Sequence, residues 1–194
     1  MAYRPRSPES GLFRDGVQFC SGLVDNSCVP LPYFDPYRKR GALYKTWERA
    51  GRSRAGQAYA RHIARRIDPW FYRVTGRSYS SLLGSVAQAP LRTTGAKSGQ
   101  PRVVQLTYFH DGSDPILIAS NYGAPRHPQW YYNLKAHPGC EFGDEKFVAT
   151  EITDPDDYAR VYGLAMQVYA GWRDYLEKTA PVGRRIPVFR LKPR

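Results

Sequence analysis

Residues 92–102, "RTTGAKSGQPR", gather two glycines, a lysine, a serine and flanking arginines into one short span. The runs on either side, 86–94 and 102–110, are strand-like, with apolar, β-branched and aromatic residues. Extended runs joined by a glycine-containing turn read as a β-hairpin. Two readings of the turn are open. It is an ordinary hairpin with basic trim, or a cradle in which glycine-freed N–H groups hold an anion. In the second reading Lys97 adds a point charge, Ser98 a hydroxyl, and Arg102 a two-pronged clamp. It is not a P-loop, because no Gly-Lys-Ser/Thr follows Gly95 at the required spacing and a strand comes next.

Outward from the hairpin the pattern continues. Runs 115–121 and 146–153 also read as strands, set off by "DGSDP" and "GDEK". Residues 127–138, "HPQWYYNLKAHP", predict a short helix stopped by Pro138. Asp154 predicts an N-cap, with Pro155 in the first turn and acidic residues behind it, for a helix reaching about Lys178. "RIPVFRL" supplies a last strand. Strands in series, an inserted helix and a helix before the final strand suit a small curved antiparallel sheet or barrel with flanking helices.

Before the hairpin the composition differs. Residues 1–45 form an irregular basic extension rich in Pro, Gly and Arg, and 46–194 form the folded domain. That domain opens with a helix at about 55–73, carrying Tyr59, Ile63 and Ile67 on one side and arginines on much of the rest. Such a helix either docks on its own domain or lies on an anionic membrane surface. Residues 1–80 hold fifteen Lys and Arg against six Asp and Glu, most of the chain's net charge of +12. This charge could meet lipid, acidic ligand or nucleic acid, but no nucleic-acid motif accompanies it. Three cysteines make no disulfide framework, and no secretory signal or membrane-length apolar run is seen, so a cytoplasmic protein is expected. The four histidines and the cysteines lack metal-ligand spacing, so no metal is expected.

A second stretch bears on the turn. "SNYGAPRHPQWYYNL", residues 120–134, runs from a strand end through a glycine loop into a helix start. Such a loop gathers backbone donors near one point, which suits an anionic or polar-edged ring. Trp130 and Asn133 are three apart and share a helix side, a flat wall beside an amide. The alternative is that Trp130, Tyr131 and Leu134 only pin the helix to the sheet.

Together, "RTTGAKSGQPR", "SNYGAPRHPQWYYNLKAHP" and "RRIPVFRL" resemble the deazaflavin-dependent nitroreductase family, in order and spacing, over about residues 55–194. The resemblance implies a split β-barrel, mainly β with flanking helices, that uses coenzyme F420. It implies that Thr94, Lys97, Ser98, Gly99 and Arg102 hold the cofactor's phosphate and acidic tail. Ser120, Asn121, Tyr122 and Gly123 would lie beside the deazaflavin ring, bordered by Trp130 and Asn133. Tyr169, Trp172 and Tyr175, with Ser120, would face the substrate as the catalytic group. The implied reaction passes hydride to a planar acceptor: a quinone, a nitroaromatic or an activated enone. A homodimer is compatible with this, and FMN is the alternative cofactor. A non-catalytic holder of a cofactor or lipid is the alternative in another class.

The chain departs from that family's pattern at Ala96, Gln105, Thr107, Asn121 and Tyr122. Of these, Tyr122 is bulky where the family has glycine. The departures bear on the acceptor more than on the cofactor.

Overall fold

The computed structural model describes residues 31–38, 41–53, 55–56 and 87–194. The helix expected at about 55–73 lies outside the described residues from 57 onward, as do the first thirty residues of the extension. Six strands among the described residues close into an antiparallel barrel. They are β1 (Gln88–Thr94), β2 (Pro101–Asp111), β3 (Asp114–Ile118), β4 (Gly139–Phe142), β5 (Glu145–Glu151) and β6 (Val188–Pro193), joined in the order β1-β2-β3-β6-β5-β4. The helices are α1 (Ala42–Arg52), α2 (Gln129–Ala136), α3 (Pro155–Val168) and α4 (Gly171–Thr179).

The alternation of each strand sorts side chains into two cores. Leu91, Tyr108, Leu117, Phe142, Phe147, Phe189 and Leu191 fill the barrel, and Trp130 and Leu134 of α2 join them. The opposite face of β2, β3 and β6 presents Phe109, Ile116, Ile118 and Val188 to α3 and α4. The register makes this division unavoidable, since a slip of one residue would exchange the faces.

The hairpin expected around residues 92–102 is present, with Thr94 opposite Pro101. Strand β4 was not legible, being only four residues long and following directly on Pro138. Asp154 caps α3 as expected, its Oδ1 accepting from the Asp157 N–H at 2.8 Å.

The single helix expected to reach Lys178 is instead two. Tyr169 is extended (φ −147°, ψ 111°), and α4 starts afresh at Gly171. The break is held by α1, which starts within the stretch expected to be irregular. The Tyr44 hydroxyl donates to the Val168 carbonyl, and the Ala170 N–H donates to Glu48 Oε1 at 2.5 Å. A carboxylate at a helix N-terminus also meets favourable partial charge. Sequence spacing could not reveal this, because both partners lie more than a hundred residues away.

Upstream of α1, residues 31–34 lie against the barrel. The Tyr108 hydroxyl donates to the Pro32 carbonyl, and the Phe34 N–H donates to His110 Nδ1. His110 is therefore a buried, neutral anchor, its pKa lowered mainly by burial.

Candidate active site

Two parts of the site are built separately and joined by β2. The first is the turn after β1. Its backbone closes through Gly95 N–H to the Gln100 carbonyl and Gly99 N–H to the Gly95 carbonyl, both at 2.8 Å. From α2, Asn133 Oδ1 accepts the Ala96 N–H, and its Nδ2 donates to Thr93 Oγ1, each at 3.0 Å. The Asn133 amide is buried and committed to the turn in both directions. Trp130 is likewise buried, its ring 5.9 Å from that of Phe189 inside the barrel. Asn133 thus supports the turn from behind, while Trp130 anchors α2 in the barrel. The turn's solvent side carries Lys97, Ser98, Gly99 and Arg102, all exposed.

Replacing Asn133 with leucine should leave the Ala96 N–H and the Thr93 hydroxyl unpaired at a cost of about 2–3 kcal/mol. Thermal unfolding of the variant checks this. Asn133→Asp, which keeps the acceptor for Ala96, is expected to recover part of the loss.

The second part is the loop after β3. Asn121, Tyr122 and Gly123 all have left-handed backbone, with φ of 48°, 56° and 75°. For a tyrosine that conformation is strained, and strain of this kind persists only where surrounding contacts impose it. Here they are visible. Arg184 donates to the carbonyls of Ala119 (2.5 Å), Ser120 (3.0 Å) and Ala124 (2.6 Å), and to His127 Nδ1 at 3.2 Å. Asn121 Nδ2 closes the loop on the Arg126 carbonyl at 2.9 Å. Arg184 opens "RRIPVFRL", read in the sequence only as a last strand and as part of the family resemblance. Its role depends on three carbonyls about sixty residues away.

The strained loop brings Tyr122 to the aromatic residues of the helix break. The Tyr122 and Tyr175 rings meet edge-on at 6.3 Å, with Tyr169 6.4 Å from Tyr175 and 5.7 Å from Trp172. Gly171 permits this: a Cβ there would fall 2.2 Å from the Tyr169 ring. Trp172 is buried against Phe109 at 6.0 Å, so it backs the cluster while Tyr122 and Tyr169 stay half-buried. Burial pushes the Tyr175 hydroxyl well above the ordinary tyrosine range, and its hydrogen bond to Tyr169 adds to this. Tyr175 therefore stays protonated, its hydroxyl engaged with Tyr169. So the structure does bring Ser120–Gly123 and the aromatic trio together, around a kink in what was expected to be one helix.

A sequence model of the family described as F420H(2)-dependent quinone reductase matches residues 64–193, well over half the chain. The chain belongs to that family. It is 39% identical over 137 residues to an F420H(2)-dependent quinone reductase of Mycobacterium tuberculosis, covering 66% of this chain and 89% of the relative. A solved F420H2-dependent reductase (FDR-A) is 34% identical, covers 54% of this chain and 93% of its own, and superposes with a TM-score of 0.48. A second solved structure, described only as a domain-swapped dimer, has the same identity and TM-score and covers 54% of this chain and 79% of its own.

As a member of this family the chain is an oxidoreductase with coenzyme F420 as its cofactor. The residues on the turn fit a phosphorylated, polyanionic group. Among the described residues, Lys97 and Arg102 pair with no carboxylate, whereas nearby Arg92 is paired with Glu141 at 3.0 Å. The N–H groups of Lys97 and Ser98 likewise have no acceptor among the described residues. Two unpaired cations beside two unspent amide donors make a receptor for a charged tail.

Proposed function

We propose that the protein reduces a planar acceptor with F420H2, binding the cofactor tail on the 95–102 turn and its ring beside the 120–123 loop. When bound, the cofactor supplies a hydride, that is, two electrons and a proton's mass in one transfer. Among acceptors a quinone comes first, with nitroaromatics and activated enones sharing its flat shape. The observation that carries this reading is the meeting of Tyr122 with Tyr169 and Tyr175, a strained loop held against an aromatic cluster. In it the hydrogen-bonded Tyr169–Tyr175 pair, kept protonated by the burial of Tyr175, supplies a hydrogen bond to an oxygen that gains negative charge during reduction. Tyr122 and Tyr169 stack on the flat faces and exclude water. Lys97, Ser98, Arg102 and the end of β1 at Thr94 hold the tail, and Asn133 keeps the turn in shape while Trp130 anchors α2. A homodimer, a cytoplasmic location and contact with an anionic membrane belong to the same reading, the location on cysteine usage and the membrane contact on the sequence charge.

Titration with oxidised coenzyme F420 and with FMN, read by ligand fluorescence, tests the assignment. The double variant Lys97→Ala/Arg102→Ala should weaken F420 binding about tenfold or more, with FMN less affected because it carries one phosphate. The wild-type affinity for F420 should also fall with added salt. Tight binding of FMN alone, or indifference to both substitutions, would overturn the reading. Binding of F420 without reduction of any acceptor by F420H2 would instead favour the non-catalytic holder.

A further inference from the structure

We infer that Gln105 recognises the polar edge of the bound deazaflavin ring, an assignment that rests on the F420 reading above. Both polar atoms of its side chain, Oε1 and Nε2, are shielded from solvent and have no hydrogen-bond partner among the described residues. An unsatisfied buried amide is costly and uncommon, and a ligand that satisfies it is one of the standard explanations. Nothing across the strand relieves it, since Gln105 lies opposite Pro90, which has no N–H to offer.

Its place on β2 says which ligand. Gln105, Thr107 and Phe109 alternate onto one outer face of the strand, and the Phe109 ring lies 6.0 Å from Trp172. At the strand's other end Arg102 belongs to the basic turn. With the usual rise per residue, Gln105 is about 10 Å from Arg102 and about 13 Å from Phe109 along the strand. A molecule with its anionic tail on the turn and its flat end toward the aromatic cluster spans the length of strand that carries this amide.

A primary amide presents a donor and an acceptor side by side. Its complement is a ring edge with an N–H next to a carbonyl, as in the pyrimidinedione of a deazaflavin. A quinone offers carbonyls alone and would leave Oε1 unsatisfied. The orphaned pair therefore selects the cofactor ring over the acceptor. The same edge exists in FMN, so Gln105 fixes ring orientation, while the basic turn discriminates between the tails.

The test combines stability with affinity. Gln105→Met removes the orphaned polar atoms at similar volume, so it should raise the melting temperature of the cofactor-free protein while raising the Kd for F420 about tenfold. A packing role alone would not improve the free protein and weaken the complex together. Gln105→Ala, where methionine overpacks, carries the same expectation for Kd. Unchanged Kd in both folded variants would overturn the assignment, as would a change confined to the KM for quinone. Failure of the wild type itself to bind F420 would instead overturn the underlying functional reading.

Discussion

Arg184→Met is expected to lower stability by about 3–4 kcal/mol and to abolish tight F420 binding. Arg184 donates to three carbonyls of the loop after β3 and to His127. Each partly buried carbonyl stripped of its donor costs roughly 1–3 kcal/mol, with some recovery from water. For a chain of this size the loss corresponds to roughly 6–15 °C in Tm, read by thermal unfolding. Lysine cannot reproduce the result, because an ammonium on a flexible stem lacks the fixed planar fork that reaches several acceptors. Arg184→Lys should recover less than half of the stability. Equal stability of the lysine variant and the wild type would sink the strut role.

A pH signature accompanies this. His127 accepts at Nδ1 from Arg184, so its imidazole must be neutral there, and burial followed by the Arg184 charge holds its pKa below 6.5. A depressed folded pKa means that the stabilisation is whole above 6.5 and is lost as the pH falls toward the folded value. In Arg184→Met that share of the acid sensitivity should shrink without vanishing, because burial, the larger cause, remains. His110 is shifted the same way but lies on another face of the barrel, so its share should persist.

The second large effect is Gly123→Ala, for which we expect a loss of about 2–3 kcal/mol and a sharp fall in turnover with quinone. Two costs add. The backbone there is left-handed, which a Cβ penalises by about 1–2 kcal/mol. The new Cβ would also sit 3.0 Å from Lys178 Cβ and 3.4 Å from Tyr175 Cα, forcing the loop away from α4. The comparison is Gly112→Ala in the β2–β3 hairpin, where φ is similarly positive and nothing lies within 4 Å of the new atom. It should show the backbone cost alone, with turnover preserved. If the two variants behave alike in both readouts, the close approach of loop and helix has no functional weight.

Much of this molecule was legible because the signals were local. The β1–β2 turn, the Asp154 cap and the alternation of the strands follow from neighbouring residues, whose turn chemistry and side-chain period are short-range properties. The resemblance carried by three ordered motifs gave the cofactor. What stayed hidden depended on partners distant in the chain. Asn133, read as a wall beside the ring, spends its amide on Thr93 and Ala96. Tyr169 leaves its helix because α1 and Gly171 hold a break there. Arg184, the first residue of "RRIPVFRL", gave no sign in the sequence of the loop carbonyls it binds.

By itself, then, the sequence determined the strands and the basic turn, since hydrophobic period, turn residues and charge act over a few positions, while its resemblance to a known family named the cofactor. Only the tertiary structure decided how the aromatic residues meet, which polar groups are already committed and that Gln105 is left wanting a partner. Hydrogen-bond satisfaction is counted over all the groups that folding brings together, and no stretch of sequence contains that count.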